Sequence, residues 1–252
     1  MSTKNQQLSR AERARRAQAL MQEQQRRERT RNLMVVGAVV GALLIIIGVL
    51  FFVQSKRDTT GRSANDVPGN LTGAYSVTIG QSSAPTTIKL YEDFQCPVCA
   101  DFEAATSAQL DAAIAAGKVK VDYHLVSFLD TQSTNAYSSR ALNAAAVVLD
   151  TSGPDVFLKF HNLLYQHQPT EGGPGPTDQQ LIAYAVQAGA DELAITGPIT
   201  DDVYHQWVLN TADVMSKAGI NGTPTVYIDG QVQGGNPPDE RVSAQAVLAA
   251  VQ

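Results

Sequence analysis

The chain contains little cysteine and, beyond its first quarter, little positive charge. Its two cysteines among 252 residues are too few for the four ligands of a cysteine-built zinc site, and its four histidines show no ligand spacing. From Ser63 onward, seven lysines and arginines stand against twenty aspartates and glutamates. Because nucleic-acid binding depends on neutralising phosphate charge, this acidic part excludes nucleic acid as its partner.

Residues 33–53 lack any charged or strongly polar side chain. A helix of these 21 residues would be about 31 Å long, which matches the hydrocarbon core of a bilayer. A cleaved signal peptide has a shorter apolar region followed by a site of small residues, and no such site follows this run. We therefore predict an uncleaved, single-pass transmembrane signal anchor.

The segments on either side of this run predict the topology. Residues 1–32 carry nine lysines and arginines against three glutamates, so they are expected to form a basic cytoplasmic tail, with the rest of the chain outside the cytoplasm. Residues 54–72 show no apolar periodicity and predict a linker. Gly37 and Gly41 form a small-xxx-small pair that could support a homodimer within the cell membrane.

The two cysteines lie three residues apart at a predicted junction between a strand and a helix. Residues 88–91 alternate as a strand does, and bulky apolar residues follow at near-helical spacing: Val98, Phe102, Leu110 and Ile114. A helix N-terminus favours an anion, and the thiolate is the reactive form of cysteine. Pro97 suits the first helical turn. We expect Cys96, at the helix tip, to attack, and Cys99, one turn further in, to resolve.

Three other roles for the cysteine pair are open at this point. A structural disulfide would close a ring of four residues, which removes little chain entropy and stabilises weakly. A zinc half-site would need about two further ligands. Two inert buried thiols are the third alternative, and the redox role is favoured over all three.

The rest of the chain predicts an α/β domain with a helical insertion. Residues 118–125 alternate polar and apolar side chains and predict a strand, which completes a β-α-β unit with a parallel pair. Residues 75–79 predict a leading strand, and Asp229–Gly230 predicts a hairpin after a strand opened by Pro224. Helices are predicted over residues 141–149, 155–166, 178–188, 200–217 and 238–251, with a loop over residues 169–176.

Two large side chains of the inserted helices have two possible roles. His161 and Trp207 could line a substrate groove or pack in the core. Core packing is favoured for both.

Three motifs in this order resemble the DsbA-like thiol–disulfide oxidoreductases of the thioredoxin superfamily, in their membrane-anchored actinobacterial form. The motifs are Glu92–Cys99, the loop of residues 168–175 and Gly222–Thr225. The resemblance covers residues 73–252 and implies a thioredoxin-like fold with the helical insertion at about residues 134–218. It further implies a cis peptide bond at Thr223–Pro224 that faces the cysteines.

The resemblance also implies the site and its chemistry. It assigns catalysis to Cys96 and Cys99, without cofactor or metal, and gives the shaping of the active site to Pro97, Val98, Thr223 and Pro224. Glu92 and Asp93 are candidates for proton transfer or tuning. The expected activity introduces disulfides into exported polypeptides with free thiols, followed by reoxidation through a quinone-linked membrane partner of the DsbB or VKOR type. A reductase or isomerase of the same fold and a non-enzymatic holdase or metallochaperone are the alternatives.

Two positions depart from the family pattern. Val98 stands where well-studied periplasmic members carry a histidine that stabilises the thiolate. Leu90 stands where many thioredoxin-like proteins place a buried acid. We therefore expect a redox potential between those of thioredoxin and of the strongest oxidants of the family.

Overall fold

The computed structural model describes residue 64 and residues 66–234 and 239–252. The predicted tail, the signal anchor and the Gly37/Gly41 contact lie outside these residues, as does most of the linker. Within the described part of the chain, no helix has both the length and the apolar character needed to cross a bilayer.

The described domain is built on a mixed sheet. Its strands are β1 (Val77–Ile79), β2 (Thr86–Glu92), β3 (Val119–Leu125), β4 (Thr225–Ile228) and β5 (Gln231–Gln233). Their spatial order is β1-β3-β2-β4-β5. Strands β2 and β3 are parallel, which confirms the predicted β-α-β unit, and the other neighbours are antiparallel. Asp229 and Gly230 both have positive φ and join β4 to β5, as the hairpin signal predicts.

The helices lie in two groups. They are α1 (Pro97–Ala115), α2 (Tyr137–Ser152), α3 (Pro154–Gln166), α4 (Asp178–Ala188), α5 (Glu192–Thr200), α6 (His205–Lys217) and α7 (Glu240–Ala250). Helices α1 and α7 pack on each other and against the sheet, whereas α2 to α6 form the predicted insertion between β3 and β4. Helix α3 contacts both α1 and β1, so the insertion lies against the helix that begins at the cysteines.

The predicted helix over residues 200–217 is wrong in its first turn. The segment contains the end of α5 and the whole of α6, separated by a turn in which Asp202 has a positive φ of 50°. The sequence did not predict helix α5, because Gly197 and Pro198 weaken its helical propensity. Packing compensates, since Ile195 and Ile199 of α5 are buried in the core.

Three expectations about individual side chains can be compared with the core. Val98 does not join the apolar stripe of α1: it is 36% exposed, whereas the later members of the stripe are buried. Trp207 is buried and donates a hydrogen bond from Nε1 to the carbonyl oxygen of Ala74. His161 is also fully buried. Core packing is therefore confirmed for both residues over an exposed groove.

Candidate active site

Cys96 lies where β2 gives way to α1. It is the N-cap residue of the helix, with extended backbone angles, and Pro97 occupies the first helical position. Both thiols are free. The Cys96 side chain is 7% exposed and that of Cys99 is fully buried. The structure thus places the two cysteines at the strand–helix junction with Cys96 nearer to solvent, as the sequence predicts.

The surroundings of the two thiols give them different pKa values. A hydrogen bond with Cys99 is the main cause that lowers the pKa of Cys96 to about 7, against the opposing effect of burial. Thr223 and the backbone N–H groups of Cys99 and Val98 lower it further, and these N–H groups are unpaired donors of the helix N-terminus. Burial raises the pKa of Cys99 well above its ordinary value. Near neutral pH the thiolate therefore forms at Cys96 while Cys99 keeps its proton.

A loop that lies far from Cys96 in the sequence faces it in the structure. The peptide bond between Thr223 and Pro224 is cis, as the resemblance implies. The Sγ of Cys96 donates a hydrogen bond of 3.3 Å to the carbonyl oxygen of Thr223. Two of the predicted shaping residues are thus brought beside the reactive sulfur by the tertiary fold.

Asp93 holds the loop that leads into the helix. Its buried carboxylate accepts hydrogen bonds from the backbone N–H of Gln95 at 2.9 Å, the hydroxyl of Ser138 at 2.6 Å and the backbone N–H of Leu129 at 2.9 Å. Its carbonyl oxygen accepts a hydrogen bond from the N–H of Cys96 at 3.0 Å. Burial raises the pKa of Asp93 to about 6, although the hydrogen bonds oppose this. These contacts make Asp93 a positioning residue for the active-site loop.

The insertion also holds this loop. The side-chain amide of Gln168 donates hydrogen bonds to the carbonyl oxygens of Phe94 at 3.0 Å and Cys96 at 2.9 Å. The hydroxyl of Tyr165 donates to the carbonyl oxygen of Asp93 at 3.3 Å. Sequence reasoning included Gln168 in a family motif without giving it a role. Its long amide side chain, two residues after the end of α3, was the available signal.

A buried polar cluster lies beneath the cysteines. Glu92 Oε2 and His161 Nε2 are 3.0 Å apart, and Glu103 lies close enough for side-chain atoms of all three residues to fall within 4.8 Å of one another. Burial raises the pKa of Glu92 to about 8, and burial followed by the charge of Glu92 raises the pKa of Glu103 well above its ordinary value.

This cluster could share a proton or hold a metal ion, and its geometry favours the proton. Structural zinc sites take four protein ligands and catalytic ones take three with a water, so the number of groups does not separate the two roles. The facing atoms of Glu92 and His161 already bond directly to each other. Sequence reasoning proposed Glu92 but did not bring Glu103 and His161 to it, because they come from α1 and α3.

The two departures from the family pattern lie where the sequence implies. Val98 occupies the exposed position between the cysteines and offers no side-chain proton donor. Leu90 is fully buried in the sheet core. The acid beneath the cysteines is therefore Glu92, two residues later on the same strand and on the same face of the sheet.

Comparison with known proteins gives a family match and similar solved structures. The sequence model described as thioredoxin matches residues 72–246. The reduced crystal structure of DsbA from Mycobacterium tuberculosis is 26% identical, covering 71% of this chain and 100% of that one, with a TM-score of 0.57. The reduced disulfide bond oxidoreductase DsbG from the same organism is 29% identical, covering 70% and 89%, with a TM-score of 0.57.

A curated relative matches over a shorter stretch. The serine/threonine-protein kinase PknE of Mycobacterium tuberculosis is 31% identical over 158 residues, which are 60% of this chain and 28% of the kinase. The chain thus spans 28% of the length of this relative.

Proposed function

Because the chain belongs to the thioredoxin family, with DsbA-like structural neighbours, we propose that it is a thiol–disulfide oxidoreductase. It works through a Cys96–Cys99 redox pair and introduces disulfides into exported polypeptides. The observation that carries the proposal is that the two thiols at the start of α1 differ in pKa. The pKa of Cys96 is lowered to about 7 and that of the buried Cys99 is raised. This is the combination that an attacking and a resolving thiol require.

The reaction begins with the oxidised enzyme and a reduced polypeptide. A substrate thiolate attacks Cys96 Sγ, the Cys96–Cys99 bond breaks, and its electron pair leaves on Cys99 Sγ. A second substrate thiolate then attacks the substrate sulfur of the mixed disulfide, and Cys96 leaves as the thiolate. The substrate loses two electrons and gains a disulfide, and the enzyme pair is reduced. Stabilisation of the Cys96 thiolate favours this direction because it stabilises the reduced enzyme.

The location and the return reaction complete the proposal. The apolar run at residues 33–53 and the basic tail before it favour a single-pass membrane protein with its catalytic domain outside the cytoplasm, where disulfides persist. Reoxidation then requires a membrane partner that carries the two electrons to a quinone. The Thr223 backbone beside Cys96 is proposed to align the extended substrate as an added strand.

The redox potential tests the direction of the reaction. We expect the wild-type potential to lie between those of thioredoxin and DsbA, about −270 mV and about −120 mV. Val98→His should place a proton donor beside the Cys96 thiolate, lower the Cys96 pKa by about one unit and raise the potential by about 30 mV, a tenfold change in the equilibrium constant. Equilibration of both forms in glutathione buffers measures the potentials.

A second exposed valine provides the control for this measurement. Val186 lies on α4, 39% exposed, and Val186→His should leave the potential unchanged. A wild-type potential at or below that of thioredoxin, together with a reduced pair in living cells, would favour the reductase alternative. An unchanged potential in Val98→His would show that other groups control the thiolate.

The proposed topology predicts a defined pattern of proteolysis. A protease added to intact spheroplasts should remove the chain after residue 53 and leave residues 1–32 protected, because only the tail is on the cytoplasmic side. Permeabilised spheroplasts should lose both parts. A protected domain containing Cys96 and Cys99 in intact spheroplasts would contradict the location and the oxidative role together.

A further inference from the structure

A cavity of about 240 Å³ lies on the face of the sheet opposite the buried Leu90. Successive side chains of a strand point to opposite faces, so Lys89 and Tyr91 of β2 share this face. Tyr227 of β4 pairs directly with Lys89 across the strands. The cavity, here called the Lys89 cavity, is lined by Thr87, Lys89, Tyr91, Tyr227 and Gly230. None of these five residues has a part in the proposed redox chemistry.

The aromatic wall of the Lys89 cavity is fixed by its own packing. Tyr91 is 7% exposed, and its ring stacks on that of His124 with the centroids 4.5 Å apart. The ring of Tyr227 meets Tyr91 edge-on at 6.0 Å. Burial is the main cause that raises the pKa of Tyr91, so its phenol stays neutral near neutral pH. A wall that is already in place lowers the ordering cost of binding a ligand.

Lys89 gives the cavity a positive charge. Within the residues that the structure describes, its ammonium group has neither an ion pair nor a hydrogen bond. Asp122 lies directly opposite Lys89 on β3, but its carboxylate bonds to His124 at 2.9 Å. Asp229 lies at the nearby hairpin, and its carboxylate accepts a hydrogen bond from the N–H of Thr87 at 2.9 Å. The ammonium group is thus left for an anion from outside the described chain.

The other polar side chains of the Lys89 cavity are hydroxyls. Those of Thr87, Tyr91 and Tyr227 have no hydrogen-bond partner among the described residues. A hydroxyl can donate one hydrogen bond and an ammonium group three. In the described part of the chain, no carboxylate lines the cavity. The cavity therefore offers several donors to a ligand that carries acceptor oxygens.

The charge, the rings and the size of the Lys89 cavity together define the ligand. One ammonium group balances one negative charge. The surrounding domain has seven lysines and arginines against twenty acids from Ser63 onward, so it disfavours a ligand with several negative charges. The faces and edges of two tyrosine rings favour an aromatic ring. A volume of about 240 Å³ holds about eight waters at about 30 Å³ each, which is the size of a single ring with one carboxylate.

We propose that the Lys89 cavity binds a small aromatic acid that carries a single carboxylate. The carboxylate lies against the Lys89 ammonium group and accepts hydrogen bonds from the neighbouring hydroxyls, while the ring packs against Tyr91 and Tyr227. Binding makes and breaks no covalent bond. It depends on neither cysteine and so goes beyond the proposed function.

Titration of the full-length protein with benzoate tests the proposal. The ring signals of isotopically labelled tyrosines are followed by NMR near neutral pH, where benzoate is ionised. We expect saturable shifts of the Tyr91 and Tyr227 signals that fit a single site. Lys89→Met should weaken binding about tenfold or more, because a hydrogen-bonded charge pair is lost. Tyr227→Leu should weaken it about threefold to tenfold, because an aromatic contact is lost.

Two further probes and one matched variant provide the controls. Benzamide keeps the ring without the charge, and acetate keeps the charge without the ring, so each should bind about tenfold or more weakly than benzoate. Lys120→Met removes a lysine from the same face of the sheet. The Lys120 ammonium group donates to the carbonyl oxygen of Ser82, and the residue does not line the cavity, so this variant should keep the wild-type affinity.

The alkylation rate of Cys96, compared with that of the wild type, shows whether each variant has folded. No saturable shift with benzoate, or an unchanged affinity in folded Lys89→Met, would overturn the site. Should Lys89→Met not fold, a wild-type affinity in Tyr227→Leu would overturn it equally. Acetate or benzamide that binds as tightly as benzoate would overturn the assigned class of ligand.

Discussion

Replacing Cys99 with serine should make mixed disulfides between Cys96 and exported polypeptides accumulate, whereas replacing Cys96 with serine should abolish them. The Cys96 thiolate can still attack a polypeptide disulfide in the first variant, but Cys99 is absent and cannot resolve the product. Dithiol oxidation should fall on the order of 10³-fold or more in both variants, as expected when a member of a catalytic unit is removed. Non-reducing electrophoresis of alkylated cell extracts measures the adducts.

The pH dependence of alkylation provides an independent check on this assignment. Iodoacetamide should label reduced Cys96 with a rate that rises with pH and reaches half its maximum near pH 7, because the thiolate fraction follows the lowered pKa. Cys99 should be labelled much more slowly, since burial raises its pKa. Equal labelling rates, or adducts that form through Cys99 when Cys96 is absent, would contradict the division of roles.

Asp93→Ala should lower the free energy of unfolding by about 3 kcal/mol, because two buried donors and one partly buried donor lose their acceptor at about 1 kcal/mol each. The donors are the N–H groups of Gln95 and Leu129 and the hydroxyl of Ser138. In the folded fraction, the released loop should let the pKa of Cys96 return toward its ordinary value. Urea unfolding and thiolate absorbance measure the two effects.

Asp101→Ala is the matched control for this prediction. Asp101 is an exposed acid on the first turns of α1, so its removal should change stability by less than about 0.5 kcal/mol. A loss in Asp93→Ala no larger than that of the control, with an unchanged Cys96 pKa, would show that the loop is held by other contacts.

The sign of the pH dependence at Asp93 gives a further test, for which Asp93→Asn is the variant. The folded-state pKa of about 6 lies above the ordinary value, so the folded protein binds this proton more tightly than the unfolded chain does. The part of the Asp93 contribution that depends on its bound proton is therefore present below about pH 4 and is lost as the pH rises through about 6. Asp93→Asn should remove this decline, which unfolding curves between pH 4 and 7 can show.

The insertion and the thioredoxin-like part meet at the redox centre. Gln168 and Tyr165 hold the backbone that leads into Cys96, and His161 bonds to Glu92 beneath Cys99. The inserted helices therefore do more than cover the sheet, because they supply polar contacts on which both cysteines depend.

The sequence by itself determined the local features of this protein. Alternation over residues 118–125 predicted β3 to within one residue, Asp229–Gly230 predicted the hairpin, and the cysteine spacing after a strand placed Cys96 at a helix start. These features depend on side chains a few residues apart, because backbone periods of 2 and 3.6 and turn conformations are set within such short segments.

Only the tertiary structure decided which distant polar groups meet. His161 and Glu92 are 69 residues apart in sequence yet bond directly. Sequence periodicity does not predict a contact between residues so far apart. Helix α5 likewise depends on the burial of Ile195 and Ile199 rather than on its propensity. The physical reason is that burial and pairing of ionisable groups are properties of the packed interior. The acidity of Cys96 and Cys99 therefore follows from the fold around them.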